Sequence, residues 1–481
     1  MSPLDVLLLF PGSLFGETWA DGPRVKPELV GMLTYLRRHD LAAGVLDLEV
    51  ELGGNPAAGR QEAYLAKAEK LLLARPAAIV VISCWSSLQY SATVAVAERV
   101  RRLYPETVIA VCGYHLTARP DDFTYEGSPF NWLLVGDAET ALLEIAHAVA
   151  KGDRDVLSCR ALEGTPLELS AQTVPDYAAY PYAGGGLLTL PVYLSRGCPY
   201  HSAACMLRPG GAGWHAYPPD IALSLLDELA ALRPRRIEVL DPAFGFDNAW
   251  RMAVLDKLAE TYRRLVPLVI AGRPDTLTRQ NLDRIYSASM LLRLDVETLS
   301  KSLLSRLELP EPQRRVEQAL DLMTYANAKG IPTTVRLAFN QPGETRETAA
   351  ETLAALEQFI AGLPNTSLRL QADSWAFFPS ESPQADLEPA AQRFGTVVAQ
   401  PEWWKEPVPS AAAATAVVAS RELADLAPGD SSYWRPRFAQ VAAALEEKLT
   451  AASRHGQRSH ESVGSAATDV PHGWWVEGRW H

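Results

Sequence analysis

The sequence predicts an α/β protein made of two successive series of β–α units, followed by a helical C-terminal region. Short apolar runs alternate with helix-length segments along most of the chain, and the alternation restarts after a stretch rich in proline and glycine at residues 151–185. The length, 481 residues, suits two or three domains, each burying its own core. The expected division is a first domain at 1–150, a linker at 151–185, a second domain at 186–385, a helical region at 386–450 and a disordered tail at 451–481.

In the first series, Asp5–Phe10, Gly44–Leu48, Ala77–Ser83, Thr107–Cys112 and Trp132–Val135 read as strands. Glu28–Arg38, Gln61–Leu73, Ala92–Leu103 and Ala138–Ala150 read as the helices between and after them. This is the pattern of a flavodoxin-like or Rossmann sheet covered on both faces, whose ligands bind at the carboxyl ends of the strands. Small residues and hydroxyls crowd those ends: Pro11, Gly12 and Ser13; Ser86 and Ser87 beside Cys84; Gly113 and His115; Gly136 to Glu139. His115 reads either as a hydrogen-bonding loop residue or as a metal ligand. Cys84 and Cys112, at strand ends, read as small buried hydrophobes.

In the second series, strands are expected at Pro191–Ser195, Arg236–Leu240, Val266–Ala271, Leu291–Asp295, Thr333–Phe339 and Leu368–Phe377. Repeated β–α units of this kind build a full or partial (β/α) barrel with its site at the strand C-termini. The loop after the first of these strands, Arg196-Gly197-Cys198-Pro199-Tyr200-His201-Ser202-Ala203-Ala204-Cys205, is rich in potential ligands. Asp241, Arg273 and Glu297 end later strands and face the expected site, either as ligand contacts or as halves of structural ion pairs.

Composition excludes other classes. Apolar residues make up 48% and charged residues 21%, as in ordinary globular proteins, and no run approaches the roughly 18–20 apolar residues that span a bilayer. A net charge of −12 opposes binding to nucleic acid, and none is expected. Five cysteines without an export signal do not form a disulfide framework, and a cytoplasmic location is expected.

The ordered motifs carry a family resemblance. Lys26-Pro27 before the first helix, Gly113-x-His115 and Gly136-Asp137-Ala138-Glu139 resemble the cobalamin-binding domain that precedes many radical S-adenosylmethionine (SAM) domains. The family usually has Gly-Glu-Gly-Glu at the last of these, and this chain keeps only its ends. The Asp-x-His-x-x-Gly motif that supplies histidine to cobalt in other cobalamin proteins is absent, so the resemblance implies no cobalt ligand from it.

Cys198 and Cys205 match the first and third positions of the radical SAM signature Cys-x-x-x-Cys-x-x-Cys, and Ser202 stands at the second. Glu238 to Phe244, Gly272 to Asp275, Asp295 to Thr298, and Pro342-Gly343-Glu344-Thr345 follow in the family's order. The resemblance covers about residues 1–385 and is of the class B radical SAM methyltransferase type. It implies cobalamin in the first domain and SAM on a 4Fe–4S cluster in the second. The activity implied is methyl or other alkyl transfer, or a related radical rearrangement, on a small specialised-metabolite substrate, with a reductase or other protein partner.

Serine is a poor iron ligand, because its oxygen is harder than sulfur and loses its proton far less readily. Three outcomes stay open: a cluster completed by Ser202, His201 or an outside group; no cluster; or a local substitution in an otherwise functional frame. The alternative to the radical enzyme is a cluster-free homologue that binds cobalamin and acts by non-radical methyl transfer or as a partner subunit. Farther on, Ala411–Ala419 and Arg437–Leu449 read as helix formers. Trp403-Trp404 reads as packing or as a substrate wall.

Overall fold

The strands of the first series form one parallel sheet because nearly every residue in them is apolar and both faces are covered. The computed structural model describes residues 4–14, 24–152, 160–183, 189–198, 213–261, 266–379, 383–406, 411–454, 475–476 and 479–480. The first sheet contains β1 (Leu4–Phe10), β2 (Ala43–Asp47), β3 (Ala77–Ser83), β4 (Val108–Cys112), β5 (Trp132–Gly136) and β6 (Arg160–Gly164). Their order is β2-β1-β3-β4-β5-β6, all parallel, so the topological switch lies between β1 and β3.

Helices α1 (Pro27–Arg38), α2 (Leu48–Glu51), α3 (Gln61–Leu73), α4 (Tyr90–Leu103), α5 (Tyr114–Ala118) and α6 (Ala138–Ala150) complete this half. Val6 and Leu8 of β1 pack in one core with Leu29 and Leu33 of α1 and Leu142 of α6. The alternate residues Leu7 and Leu9 pack in a second core with Leu65 of α3 and Val96 of α4. That is the alternation of strand side chains made visible. Strand β6 lies inside the stretch expected to be linker. Its sequence, Arg-Ala-Leu-Glu-Gly, has only two apolar residues, because an edge strand with exposed side chains needs no continuous apolar run.

The second half opens with β7 (Thr189–Val192) and a short antiparallel pair, β8 (Ser195–Arg196) with β9 (His215–Ala216). Then follow α7 (Pro219–Ala231), β10 (Arg236–Val239), α8 (Asn248–Thr261), β11 (Leu268–Gly272), α9 (Arg279–Ser287) and β12 (Leu291–Glu297). After α10 (Lys301–Arg306) and α11 (Pro312–Lys329) come β13 (Thr333–Phe339), α12 (Arg346–Ala361) and β14 (Leu368–Ser374). The six long strands lie side by side in chain order, all parallel, as a partial barrel. Right-handed crossovers that always advance in one direction put every helix on one face. Ile237, Ile270, Leu292, Leu294, Val335 and Leu337 pack there against α7, α9, α11 and α12, leaving the opposite, concave face to polar side chains.

The C-terminal region contains α13 (Pro383–Phe394), β15 (Val397–Val398), α14 (Ala411–Ala414), β16 (Val417–Val418) and α15 (Arg435–Arg454). The helix expected over 411–419 stops after one turn, because the β-branched pair Val417-Val418 joins β15 as an antiparallel strand. Trp403 and Trp404 are fully buried in a cluster with Leu88, Phe377 and Phe378, which makes them packing residues. Trp434 stacks on Phe339 with ring centroids 4.4 Å apart, docking α15 beside β13. Among the described residues, no helix is long and apolar enough to cross a membrane.

Candidate functional site

The carboxyl-end rim of the first sheet is built by its own polar groups. Gly12, at φ 69°, lets the Pro11–Ser13 turn lie against Tyr64, whose hydroxyl donates to the Pro11 carbonyl at 3.1 Å. A Cβ at Gly12 would come within 2.5 Å of that hydroxyl oxygen. Ser13 donates its hydroxyl to the Leu88 carbonyl at 3.0 Å, tying the loop after β1 to the loop after β3 across the switch point. Ser86 caps the single turn Ser87–Gln89, its hydroxyl accepting from the Leu88 amide at 3.1 Å. Gly113, at φ 113°, brings the loop after β4 against Cys84, where a Cβ would meet the carbonyl oxygen at 2.4 Å. Gly136, at φ 76°, donates its amide to Thr117 at 3.0 Å.

His115 is fully buried. Its Nδ1 lies 2.8 Å from the Ser87 hydroxyl and its Nε2 lies 3.3 Å from Asp122 Oδ2. Burial lowers its pKa, although Asp122 pulls the other way, so the ring is neutral at pH 7. A neutral ring in this frame accepts from Ser87 and presents its N–H toward Asp122. Asp122 also accepts from Trp404 Nε1 at 2.7 Å and pairs with Lys405 at 2.8 Å. Burial alone would raise the Asp122 carboxyl, but hydrogen bonds from His115 and Lys405 hold it down at about 2. The sequence offered no signal for this bond, because its partners are 282 residues apart. Cys84 and Cys112 are buried, as expected, and burial pushes the Cys112 thiol up. Trp85 and Tyr114, partly exposed on the same rim, sit with ring centroids 4.3 Å apart.

Beside β1 and β2, buried Lys26 lies 2.7 Å from Glu49, 3.2 Å from Asp47 and 4.4 Å from the centre of the Phe10 ring. Burial raises the Asp47 carboxyl to about 6 against the opposing pull of Lys26.

Two arginines join this rim to the barrel. Arg196 of β8 reaches Glu139 at 2.8 Å and Asp137 at 3.5 Å, both at the start of α6. Arg24, in the loop that leaves β1, reaches Glu238 of β10 at 3.1 Å. The C-terminal rim of the first sheet therefore faces the barrel. Arg24 was not singled out in the sequence, since nothing local separates it from other arginines, and Arg196 was named only as the start of the loop that holds Cys198.

At the barrel rim, Asp241 accepts from the Leu194 amide at 2.7 Å and from the Ser195 hydroxyl at 2.6 Å. It thus braces the strand end that leads into Cys198, and Trp214 donates to the same Ser195 hydroxyl at 3.2 Å. Arg273 pairs with Asp275 at 3.0 Å and with Glu297 at 3.3 Å. Glu297 follows a bulge in β12 and holds φ 67°, a left-handed conformation costly for a residue with a side chain. Burial raises its carboxyl above the usual range, Arg273 draws it down by less, and Asp295 adds to the rise. Cys198 is partly buried; Ser202, His201 and Cys205 lie outside the described residues. Among the described residues, no group of three or more His, Cys, Asp or Glu side chains is placed to hold a metal.

The Pro342–Thr345 turn is structural. Buried Glu344 accepts from the Asn340 amide at 2.7 Å and from the Tyr433 hydroxyl at 2.6 Å, locking the loop after β13 to the C-terminal region. Burial raises its carboxyl to about 7, more than those two bonds lower it. An acid with a raised folded-state pKa binds its proton more tightly folded than unfolded. Its contribution is full below pH 4.5 and is lost as pH climbs to about 7. Stability should therefore fall by about 3 kcal/mol over that window. Glu344→Gln should remove that part of the slope in urea unfolding curves, and equal slopes in both proteins would refute the assignment.

No known family profile matches the chain, and no curated protein does. Among solved structures the fold is similar to that of TsrM, a radical S-adenosylmethionine methyltransferase from Kitasatospora setae. Against TsrM with cobalamin and a 4Fe–4S cluster bound, the TM-score is 0.63 at 18% identity, over 82% of this chain and 78% of that one. Against TsrM with its tryptophan substrate and the SAM analogue aza-SAM bound, the TM-score is 0.60 at 17% identity, over 80% and 76%. At such identity the likeness is one of fold: an α/β protein with two parallel six-stranded sheets, a Rossmann-like one and a partial barrel, as in TsrM.

Proposed function

We propose that the chain is a cobalamin-dependent enzyme that uses SAM to transfer a methyl or other alkyl group to a small substrate held between its two sheets. The observation that carries this reading is the pairing of the rims: Arg196 with Glu139 and Asp137, and Arg24 with Glu238. Ligand-binding edges of two parallel sheets are where cofactors sit, and here those edges are tied to each other. The first rim fits a large, mostly flat ligand. Gly12 and Gly113 bring backbone close, Trp85 and Tyr114 stay partly exposed, and Ser13, Ser86 and Ser87 spend their hydroxyls on holding the loops. His115 is committed to Ser87 and Asp122, which supports a corrinoid bound without it. Cobalamin would supply an alkyl-carrying metal centre and SAM the alkyl group; the protein positions both and excludes water.

Of the expected cluster ligands only Cys198 is described, and Ser202 replaces a thiolate. That substitution favours a second reading, a cluster-free homologue that transfers the group by a polar route or serves as a partner subunit. Anaerobically purified full-length chain should retain cobalamin absorption after gel filtration and should bind SAM. About four irons and matching sulfide per chain would support the radical-type enzyme, and cobalamin without iron would favour the second reading. Loss of both cofactors on gel filtration would sink the proposal.

A further inference from the structure

The loop after β3 does not hold its own shape. Ser87–Gln89 is a single helical turn, and one turn is too short to be stable by itself. Its geometry is set by what surrounds it. Ser13, from the loop after β1, donates to the Leu88 carbonyl at 3.0 Å, and the Ser87 hydroxyl lies 2.8 Å from His115 Nδ1. Both bonds stand at the switch point of the first sheet, the edge where such sheets bind their ligands.

Behind this turn runs a series of contacts that ends in the C-terminal region. His115 is buried, and Asp122 lies 3.3 Å from its Nε2, which has no other partner among the described residues. Asp122 Oδ2 in turn accepts from Trp404 Nε1 at 2.7 Å, and its Oδ1 lies 2.8 Å from Lys405 Nζ. Trp404 also shares an apolar cluster with Leu88 and meets the His115 ring edge-on, with centroids 5.6 Å apart. The C-terminal region thus reaches the Ser87–Gln89 turn by two routes, one apolar through Leu88 and one polar through Asp122 and His115. Simple adhesion between the two regions would be served as well by apolar side chains. Trp404, Asp122, His115 and Ser87 instead follow one another with fixed bonding directions, each orienting the next, as outer residues orient those that line a site. At 3.3 Å the His115–Asp122 contact is the longest of the series and depends most on Asp122 being held from behind.

We infer that Trp404 is a positioning residue for the ligand site of the first sheet. Through Asp122 and His115 it holds the Ser87–Gln89 turn, and with it the loop after β1, in the binding arrangement. This rests on the reading of that rim as a corrinoid site. The C-terminal region then governs how tightly the first half holds its cofactor, although Trp404 itself is fully buried.

The affinities of full-length chain for hydroxocobalamin and for SAM are measured separately, with amide hydrogen exchange of the unliganded protein beside them. Trp404→Phe, which keeps a ring and removes the indole N–H, should weaken cobalamin about tenfold and change SAM affinity by less than about twofold. Ser87→Ala should do the same. Because both break one series, the double variant should also be about tenfold weaker rather than about a hundredfold. The Leu88 and Gln89 amides, both bonded to Ser86, should exchange about tenfold faster in Trp404→Phe. If Trp404→Phe does not fold, Asp122→Asn combined with Ser87→Ala gives the same cycle.

Unchanged cobalamin affinity in Trp404→Phe would overturn the inference, as would effects of the two substitutions that simply multiply. Equal loss of SAM affinity would also overturn it, since that marks a general loosening of the fold. A wild-type chain that binds no cobalamin would remove the proposed function. Faster exchange at Leu88 and Gln89 in Trp404→Phe would then still uphold the positioning role, and unchanged exchange would end it.

Discussion

Asp122→Ala is expected to destabilise the protein by about 3–5 kcal/mol, because it removes the shared acceptor of a buried charged network and leaves its partners behind. Asp122 is 4% exposed and is contacted by His115 at 3.3 Å, Trp404 at 2.7 Å and Lys405 at 2.8 Å. With the carboxylate gone, the buried Trp404 indole N–H and the buried His115 lose their partner, and Lys405 keeps only Glu402. Asp122→Asn keeps one acceptor oxygen and should cost less. Urea unfolding followed by tryptophan fluorescence or circular dichroism reads both as shifts in the unfolding midpoint. A loss under about 1 kcal/mol for the alanine variant would mean the network contributes no stability. The same carboxyl, held at about 2 against an ordinary 3.8, adds stability that is full above its usual range and drains away as pH falls toward 2.

Arg196→Met should cost a similar amount, about 3–5 kcal/mol, because it strands the Glu139 carboxylate without its cation. Glu139 is 5% exposed, and although burial pushes its carboxyl up, the charge and hydrogen bond of Arg196, whose side chain is 23% exposed, hold it below the usual range. The double variant Arg196→Met with Glu139→Gln should recover most of the loss, since no charge is then buried alone. A double-mutant cycle by chemical denaturation measures the coupling. Strictly additive effects would show that the two sheets are not joined through this pair.

Much of the architecture was legible. The strands at Ala77–Ser83 and Thr333–Phe339 match the observed ones residue for residue, and the others agree to within a few positions. They were legible because central parallel strands are apolar on both faces or on the face that meets the helices. Strand β6 was not, because an edge strand can be half polar. The failure over Ala411–Ala419 has a different cause. Helix propensity there is high, yet pairing between Val417-Val418 and Val397-Val398 overrides it.

The site was legible only in outline. Gly12, Gly113 and Gly136, named from the sequence as strand-end turn residues, all hold positive φ. Asp241, Arg273 and Glu297 were expected either as ligand contacts or as halves of structural pairs; Asp241 accepts from Ser195 and Leu194, and Arg273 pairs with Glu297. The alternation Leu-Arg-Leu-Asp-Val-Glu in β12 puts its polar side chains on one face, since side chains point to opposite sides at every step.

By itself the sequence determined most of the β–α units and the glycines at the rim, because each is a property of one residue or of a short repeating pattern. Only tertiary structure decided that His115 is enclosed by Ser87 and Asp122, that Trp404 closes that network, and that Arg24 and Arg196 tie one rim to the other. These are contacts between side chains far apart along the chain. Their energy depends on burial and on separations of a few ångströms, and no local pattern of residue types encodes either.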